Sequence, residues 1–180
     1  MEGQPTTVTV DDFLPWDPQS SQPLYFQSLD SLLPSLLFKA FAKLSRGYQH
    51  LKDPDFSRAY PKAMTMLTGL PCLKQEPSSI TESLSLGYIC SLLPLAGVGL
   101  LANHPYEVLS SLEHQGRSFL QIAKPASETL HLPQGGFYTS TSDWPQYLLD
   151  LQPQINDTSF WLDAEYLATY FESGFTLCTQ

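Results

Sequence analysis

The sequence has 180 residues, of which 15% are charged and 42% hydrophobic, and its 18 acidic and 9 basic side chains leave a formal net charge of −9. This hydrophobic content excludes a disordered polyelectrolyte, which combines low hydrophobicity with high net charge. The negative charge argues against a nucleic acid partner, because neutralising phosphates requires an excess of Lys and Arg. The length suffices for a hydrophobic core without disulfide bonds.

The first 22 residues are predicted to form a flexible N-terminal arm, because Gln, Ser, Thr and Pro are frequent there. Within this arm, Phe13 and Trp16 stand among acidic residues. In a mobile arm this mixture is typical of a docking peptide that becomes ordered on a protein partner. The alternative is that both aromatic side chains fold back onto the chain's own core, since large aromatics are seldom exposed.

The targeting and cysteine patterns predict a cytoplasmic protein. Residues 1–12 contain neither a basic side chain nor an apolar run, so no secretory signal is expected. Cys72, Cys90 and Cys178 are far apart and form no Cys-x-x-Cys pair, which favours reduced and mostly buried thiols. The histidines lack the spacing of metal ligands and no nucleotide-binding glycine motif is present, so we expect no metal and no cofactor.

Residues 23–115 are predicted to be mainly helical. A helix begins at Pro34, because proline suits a first turn, and an apolar stripe with steps of three and four residues extends to Leu51. A second helix is predicted around Tyr60–Leu67, and Gly69 ends it.

A third predicted helix begins at a capping box formed by Ser79 and Glu82, in which each side chain bonds the backbone of the other residue. This helix is predicted to continue through Leu86–Leu93 and to carry Cys90. A fourth is predicted to begin at Pro105.

The stretch Ser83–Tyr106 contains no charged residue and is long enough to cross a bilayer. However, Pro94 lies in its middle, and the flanking charges Glu82 and Glu107 are acidic rather than basic. These features favour two short buried helices in a soluble core, so we expect no membrane association.

After Gly116 the pattern changes to short strands joined by turns, followed by alternating helices and strands. Asp163 is predicted to cap the last helix. The predicted strands are Arg117–Lys124, Thr129–Leu132, Phe137–Thr141, Ser159–Leu162 and Phe175–Cys178, with a hairpin turn at Pro133–Gly136 and helices at Trp144–Leu151 and Ala164–Glu172.

These elements predict an α+β fold, in which a helical N-terminal part packs on a C-terminal part with a small antiparallel sheet and two or more helices. Residues 23–180 are expected to form a single compact domain, helical over 23–115 and α/β over 116–180.

The charge distribution favours a non-enzymatic protein-binding function. Residues 81–180 hold 10 acidic and 2 basic side chains, a net −8 of the total −9. This half also contains many aromatic residues, which together with acids favour a basic or amphipathic protein partner. We therefore expect an accessory or adaptor protein, chaperone-like or inhibitory. The alternative is that the aromatic face packs on the sheet. The residues expected to bind the partner are Phe13, Trp16, Trp161, Tyr166, Tyr170, Glu165 and Glu172.

An alternative function is that of a small cysteine-dependent hydrolase or deamidase with a papain-like Cys/His site. Cys90 would be the nucleophile, His114 the base, and His131 or Gln134 the third polar group. Against this, the predicted helix places Cys90 about three turns from the N-terminus, where the helix dipole does not lower a thiol pKa.

Overall fold

The computed structural model describes residues 5–19, 22–23, 31–51, 55–125, 135–138 and 158–179. The chain divides into two compact units, Gly3–Asp55 and Phe56–Gln180. The predicted strand Thr129–Leu132, the predicted helix Trp144–Leu151 and the residues His131 and Gln134 lie outside the described ranges.

The first unit is built around one amphipathic helix. Strands β1 (Trp16–Asp17) and β2 (Gln22–Pro23) pair antiparallel. Helix α1 spans Leu33–Leu44 and is followed by a 3-10 turn at Tyr48–Leu51. Pro34 lies in the first turn of α1, which confirms the prediction that a helix begins there.

Lysines of α1 hold the N-terminal segment against the helix. The ammonium of Lys39 bonds the carboxylate of Asp11 and the carbonyl oxygen of Phe13, and that of Lys43 donates to the carbonyl oxygen of Thr9 at 2.7 Å. The pKa of Asp11 is lowered, first by its hydrogen bond from Lys39. The backbone of this segment is thus bound, whereas the side chain of Phe13 is 81% exposed.

The second unit is a seven-stranded antiparallel sheet with three α-helices among its described residues. This confirms the α+β fold class, although the sheet is larger than predicted. The spatial order of the strands is β3-β9-β4-β5-β6-β8-β7. The helices are α2 (Phe56–Thr68), α3 (Ile80–Ser85) and α4 (Leu167–Tyr170), and the strands are β3 (Cys72–Gln75), β4 (Ile89–Pro94), β5 (Tyr106–His114), β6 (Arg117–Ala123), β7 (Phe137–Tyr138), β8 (Ser159–Asp163) and β9 (Phe171–Leu177).

The uncharged stretch forms strand β4, so the prediction of two buried helices there was wrong. β4 lies between β9 and β5, and Cys90 through Pro94 are all buried. A strand covered on both faces is a continuous apolar run, which periodicity does not distinguish from a buried helix. Among the described residues, no helix combines the length and apolarity that a membrane span requires.

The segment after Pro105 is also a strand rather than the predicted helix. In β5 the buried Tyr106 and Val108 alternate with exposed residues, which is the period of a strand with one covered face. Gln115 and Gly116 both have positive φ, +50° and +76°, and form the two-residue turn of the β5–β6 hairpin. Gly116 therefore marks a hairpin and not the end of a helix.

The other predictions for the second unit were partly confirmed. Helix α2 contains the predicted Tyr60–Leu67, and β6 and β8 agree with the predicted strands. Ser79 precedes α3 but its side chain makes no capping hydrogen bond, so the capping box was wrong. Asp163 does cap, accepting from the N–H of Glu165 at 3.1 Å, but the helix ends at Tyr170 rather than at Glu172 because β9 begins there.

The buried carboxylate of Asp163 is compensated by one cation. Its side chain is 2% exposed and forms an ion pair with Arg117, whose guanidinium also lies 3.3 Å from Glu165. Because an uncompensated buried charge is costly, this pair fixes the start of β6 against the end of β8.

Gly174 permits the close approach of α3 to β9. A Cβ atom at this position would lie 2.6 Å from the Cδ1 and Cγ1 atoms of Ile80, a residue with no exposed surface. The main core of the second unit forms around this contact. It contains Ile80, Cys90, Leu92, Leu100, Tyr106, Val108, Leu120, Ile122, Phe160, Leu162, Leu167, Tyr170 and Phe171.

We expect Gly174→Ala to lower the free energy of unfolding by about 1–3 kcal/mol, because the added methyl group overpacks a core in which Ile80 has no room to move. Urea denaturation measures the loss. In an Ile80→Ala background the same substitution should cost at least about 1 kcal/mol less, since the colliding atoms are absent. Equal costs in both backgrounds would contradict the proposed collision.

Candidate functional site

Cys90 lies in the middle of the sheet. It is paired with Val108 of β5 and Thr176 of β9, and its side chain has no exposed surface. Its thiol lies 3.6 Å from the carbonyl oxygen of Tyr88 and 3.8 Å from the hydroxyl of Thr176. Burial raises the pKa of Cys90, although the hydrogen bond from Thr176 acts the other way. Such a thiol packs as a small apolar side chain, and its thiolate is disfavoured.

The structure does not bring Cys90 and His114 together. Cys90 is opposite Val108, and His114 lies six residues further along β5, about 20 Å away at about 3.3 Å per residue. His114 is the last residue before the β5–β6 turn, where it pairs with Arg117. His131, the predicted third group, lies outside the described residues.

The other two cysteines lie near the edge strand β3. Cys72 is half-buried and opposite Leu177, and burial followed by the proximity of Cys178 raises its pKa. Cys178 is also half-buried, and its N–H donates to the carbonyl oxygen of Pro71 at 2.9 Å.

Most of the aromatic residues predicted to bind a partner are used for internal packing. Trp161 and Tyr170 are buried, with exposures of 6% and 7%. The hydroxyl of Tyr170 donates to the carbonyl oxygen of Gly135 at 3.0 Å, and its ring stacks with the half-buried Tyr166 at 6.2 Å. A Cβ atom on Gly136 would lie 2.6 Å from the Tyr166 ring. These aromatic residues therefore follow the alternative prediction, in which the aromatic face packs on the sheet.

The remaining predicted partner-binding residues are accessible. Glu165 and Glu172 are exposed, and Glu165 accepts from Arg117 at 3.3 Å. In the first unit Trp16 is 56% exposed, and among the residues described there Phe13 is the most exposed large apolar one. Both rings are thus exposed.

His104 lies beside Tyr106, a residue of the main core. It is half-buried just before β5, and its ring contacts that of Tyr106 edge to face at 5.3 Å. The hydroxyl of Tyr106 accepts from the N–H of Leu101 at 3.0 Å, and its ring packs on Phe160 and Phe171. The buried tyrosine thus fixes both the loop and the imidazole.

From the sequence, the histidines were considered only as metal ligands, which their spacing does not support. The position of His104 beside Tyr106 was therefore missed. The available signal was a histidine directly before an alternating apolar segment, which the helix prediction for that segment obscured. Within the described residues, no group of three or more His, Cys, Asp or Glu side chains is arranged to hold a metal ion.

The family comparison covers nearly the whole chain. Residues 1–179 match the model of the calpain family cysteine proteases. No curated protein matches the sequence. The family match contradicts the prediction of a chaperone-like adaptor and supports the alternative of a cysteine hydrolase.

We expect Cys90 to resist alkylation in the native protein, because iodoacetamide needs an accessible thiolate. At neutral pH, peptide mapping should find Cys90 unmodified while the half-buried Cys72 and Cys178 react slowly. In urea all three should react at similar rates. Native Cys90 that reacts faster than the unfolded chain would contradict its assignment as a packing residue.

The raised pKa of Cys90 also predicts a loss of stability in alkali. The folded-state pKa lies above the unfolded value, so the stability is fully present below about pH 8.5, where an unfolded thiol is protonated. As the pH rises further, the unfolded state loses protons first, and Cys90 removes up to about 1.4 kcal/mol per pH unit until its folded pKa is reached.

Urea denaturation between neutral and alkaline pH measures this effect. Cys90→Ala should be less stable at neutral pH, but its stability should fall less steeply in alkali. The same slope in both proteins would show that another group causes the alkaline loss.

Proposed function

The chain belongs to the calpain family of cysteine proteases. We therefore propose that it takes part in thiol-dependent cleavage of peptide bonds, with His104 as the general base. The match of residues 1–179 is the observation that carries this proposal. In this chemistry a thiol attacks the peptide carbonyl carbon, and an imidazole accepts the thiol proton and later donates it to the leaving amine. The acyl-enzyme thioester is then hydrolysed by water.

The choice of His104 over His114 rests on their surroundings. A general base must keep a fixed orientation towards the reacting atoms. His104 is held by its contact with Tyr106, which is itself buried and hydrogen-bonded. His114 instead adjoins a two-residue turn at the far end of the same strand.

The nucleophile of this proposal is a thiol other than those of the three cysteines in this sequence. Cys90 is buried, and it is paired with Val108, four residues after His104. Cys72 lies in β3 and Cys178 follows β9, and β4 separates both strands from β5, although Cys72 and Pro105 line a common pocket. On these grounds we propose that the reacting thiol is supplied by another polypeptide segment.

The strand beside His104 bears on how the imidazole is oriented. In papain-like sites a third polar group accepts the second imidazole N–H. Continuing the Val108–Ile122 register by two residues places Lys124 opposite Tyr106. An ammonium group only donates hydrogen bonds, so Lys124 cannot accept from His104. The aromatic contact with Tyr106 is one interaction that orients this base.

The proposal is tested by assaying the protein isolated from its own source for cleavage of an unfolded protein substrate. Cleavage should be blocked by irreversible thiol reagents. His104→Ala should reduce kcat by about 100-fold or more, the usual contribution of a general base. His114→Ala is the matched control and should retain activity, as should Ala substitutions of the three cysteines.

Thermal unfolding of each variant separates loss of chemistry from loss of fold. A folded His104→Ala protein with undiminished activity would overturn the role of His104. Loss of activity in a folded Cys72→Ala or Cys178→Ala protein would identify that cysteine as the nucleophile and overturn the proposal of an external thiol. A wild-type protein without thiol-dependent cleavage would overturn the proposed function as a whole.

A further inference from the structure

A pocket of about 270 Å³ lies between helix α2 and one face of the sheet in the second unit. Its volume equals that of about nine liquid water molecules, which suits a ligand of roughly ten non-hydrogen atoms. It is lined by Tyr60, Met64, Cys72, Ile89, Cys90, Ser91, Pro105, Glu107, Phe175 and Leu177.

The pocket is apolar except at one wall. The rings of Tyr60 and Phe175 lie 4.9 Å apart at an angle of 55° and offer an aromatic corner. On the polar wall, the buried hydroxyl of Ser91 donates to the phenol oxygen of Tyr60 at 3.2 Å. Ser91 is also directly opposite Glu107, so the carboxylate stands beside this hydrogen-bonded pair.

Among the described residues that line the pocket, Glu107 is the one that is charged. Burial raises the pKa values of Tyr60 and Cys72, so at neutral pH both remain uncharged. Lys74, which is opposite Phe175 in the sheet, directs its ammonium to the hydroxyl of Ser57 at 3.0 Å and does not line the pocket. An apolar pocket with a single carboxylate at its wall is complementary to a cation on an apolar body.

We propose that this pocket binds a small organic amine, with its aromatic or branched apolar body against Tyr60 and Phe175 and its ammonium at Glu107. The aromatic corner adds a favourable surface for the cation, since ammonium groups are attracted to ring faces. The same chemistry is available from a free amine or from the side chain of a lysine in a peptide.

This site is separate from the proposed peptidase chemistry. Side chains alternate along a strand, so Glu107 and Tyr106 point to opposite faces of β5. His104 contacts Tyr106 and thus belongs to the other face. The amine pocket can therefore exist whether or not His104 acts as a base.

The experiment titrates the protein with phenethylamine and, as a probe of the same body with the opposite charge, with hydrocinnamate. Calorimetry or NMR should detect binding of the amine and at least about tenfold weaker binding of the carboxylate. Glu107→Gln keeps the size of the side chain and should weaken amine binding about five- to tenfold, as expected for a partly exposed ion pair. Glu172→Gln removes an exposed glutamate of β9 outside the pocket and should leave the affinity unchanged.

Alkylation of Cys72 gives a second readout, because this thiol lines the pocket. Phenethylamine at about twice the wild-type Kd should slow its modification about threefold in the wild type but less than about 1.5-fold in Glu107→Gln, while Cys178 should react at an unchanged rate. Tighter binding of acetyl-phenylalanyl-lysine amide than of phenethylamine would assign the source of the ammonium to a peptide side chain, and the reverse order to a free amine.

Equal affinity for the amine and the carboxylate, or equal effects of the two Glu→Gln variants, would overturn the proposal. Absence of any binding of phenethylamine and of the peptide would also overturn it. None of these outcomes bears on cleavage activity, so failure of the pocket proposal is distinguishable from failure of the peptidase proposal.

Discussion

The antiparallel pairing of β4 with β9 is the constraint on which the second unit depends. It joins Ile89–Pro94 from the middle of the chain to Phe171–Leu177 near its end. β3 is added on one side through β9, and β5 on the other through β4. Because β4 is surrounded by strands and covered on both faces, charged residues would be costly there. The absence of charge from Ile89 to Pro94 follows from this central position.

The same pairing decides which chemistry the cysteines can perform. A nucleophilic thiol needs access to solvent or substrate and a neighbouring base, and usually a lowered pKa. The central position of Cys90 provides burial, a raised pKa and neighbours from β5 and β9 instead. Membership of a cysteine protease family therefore does not make this cysteine catalytic. His104, which contacts the buried Tyr106, is the base of the proposed chemistry, and Cys90 is paired with Val108, four residues after it.

Strand β5 connects two different environments. Tyr106 and Val108 face the main core, and Tyr106 positions His104 at the beginning of the strand. Glu107 faces the pocket beneath α2, where Ser91 and Tyr60 form the neutral part of the polar wall. Alternation of side chains lets one strand contribute to two sites without their competing for space. Neither site was accessible to the sequence analysis, which placed this segment in a helix.

Several local features were determined by the sequence itself. Pro34 begins α1, Asp163 caps the turn before α4, and the strand Arg117–Ala123 was predicted within one residue, because dihedral restriction, capping and alternation act over a few neighbours. Tertiary structure alone decided that Cys90 lies in a strand and that His104 contacts a buried tyrosine. The physical reason is that a continuous apolar run fits a buried helix and a central strand equally well. Which of the two forms is decided by partner segments more than 60 residues distant along the chain, such as β9.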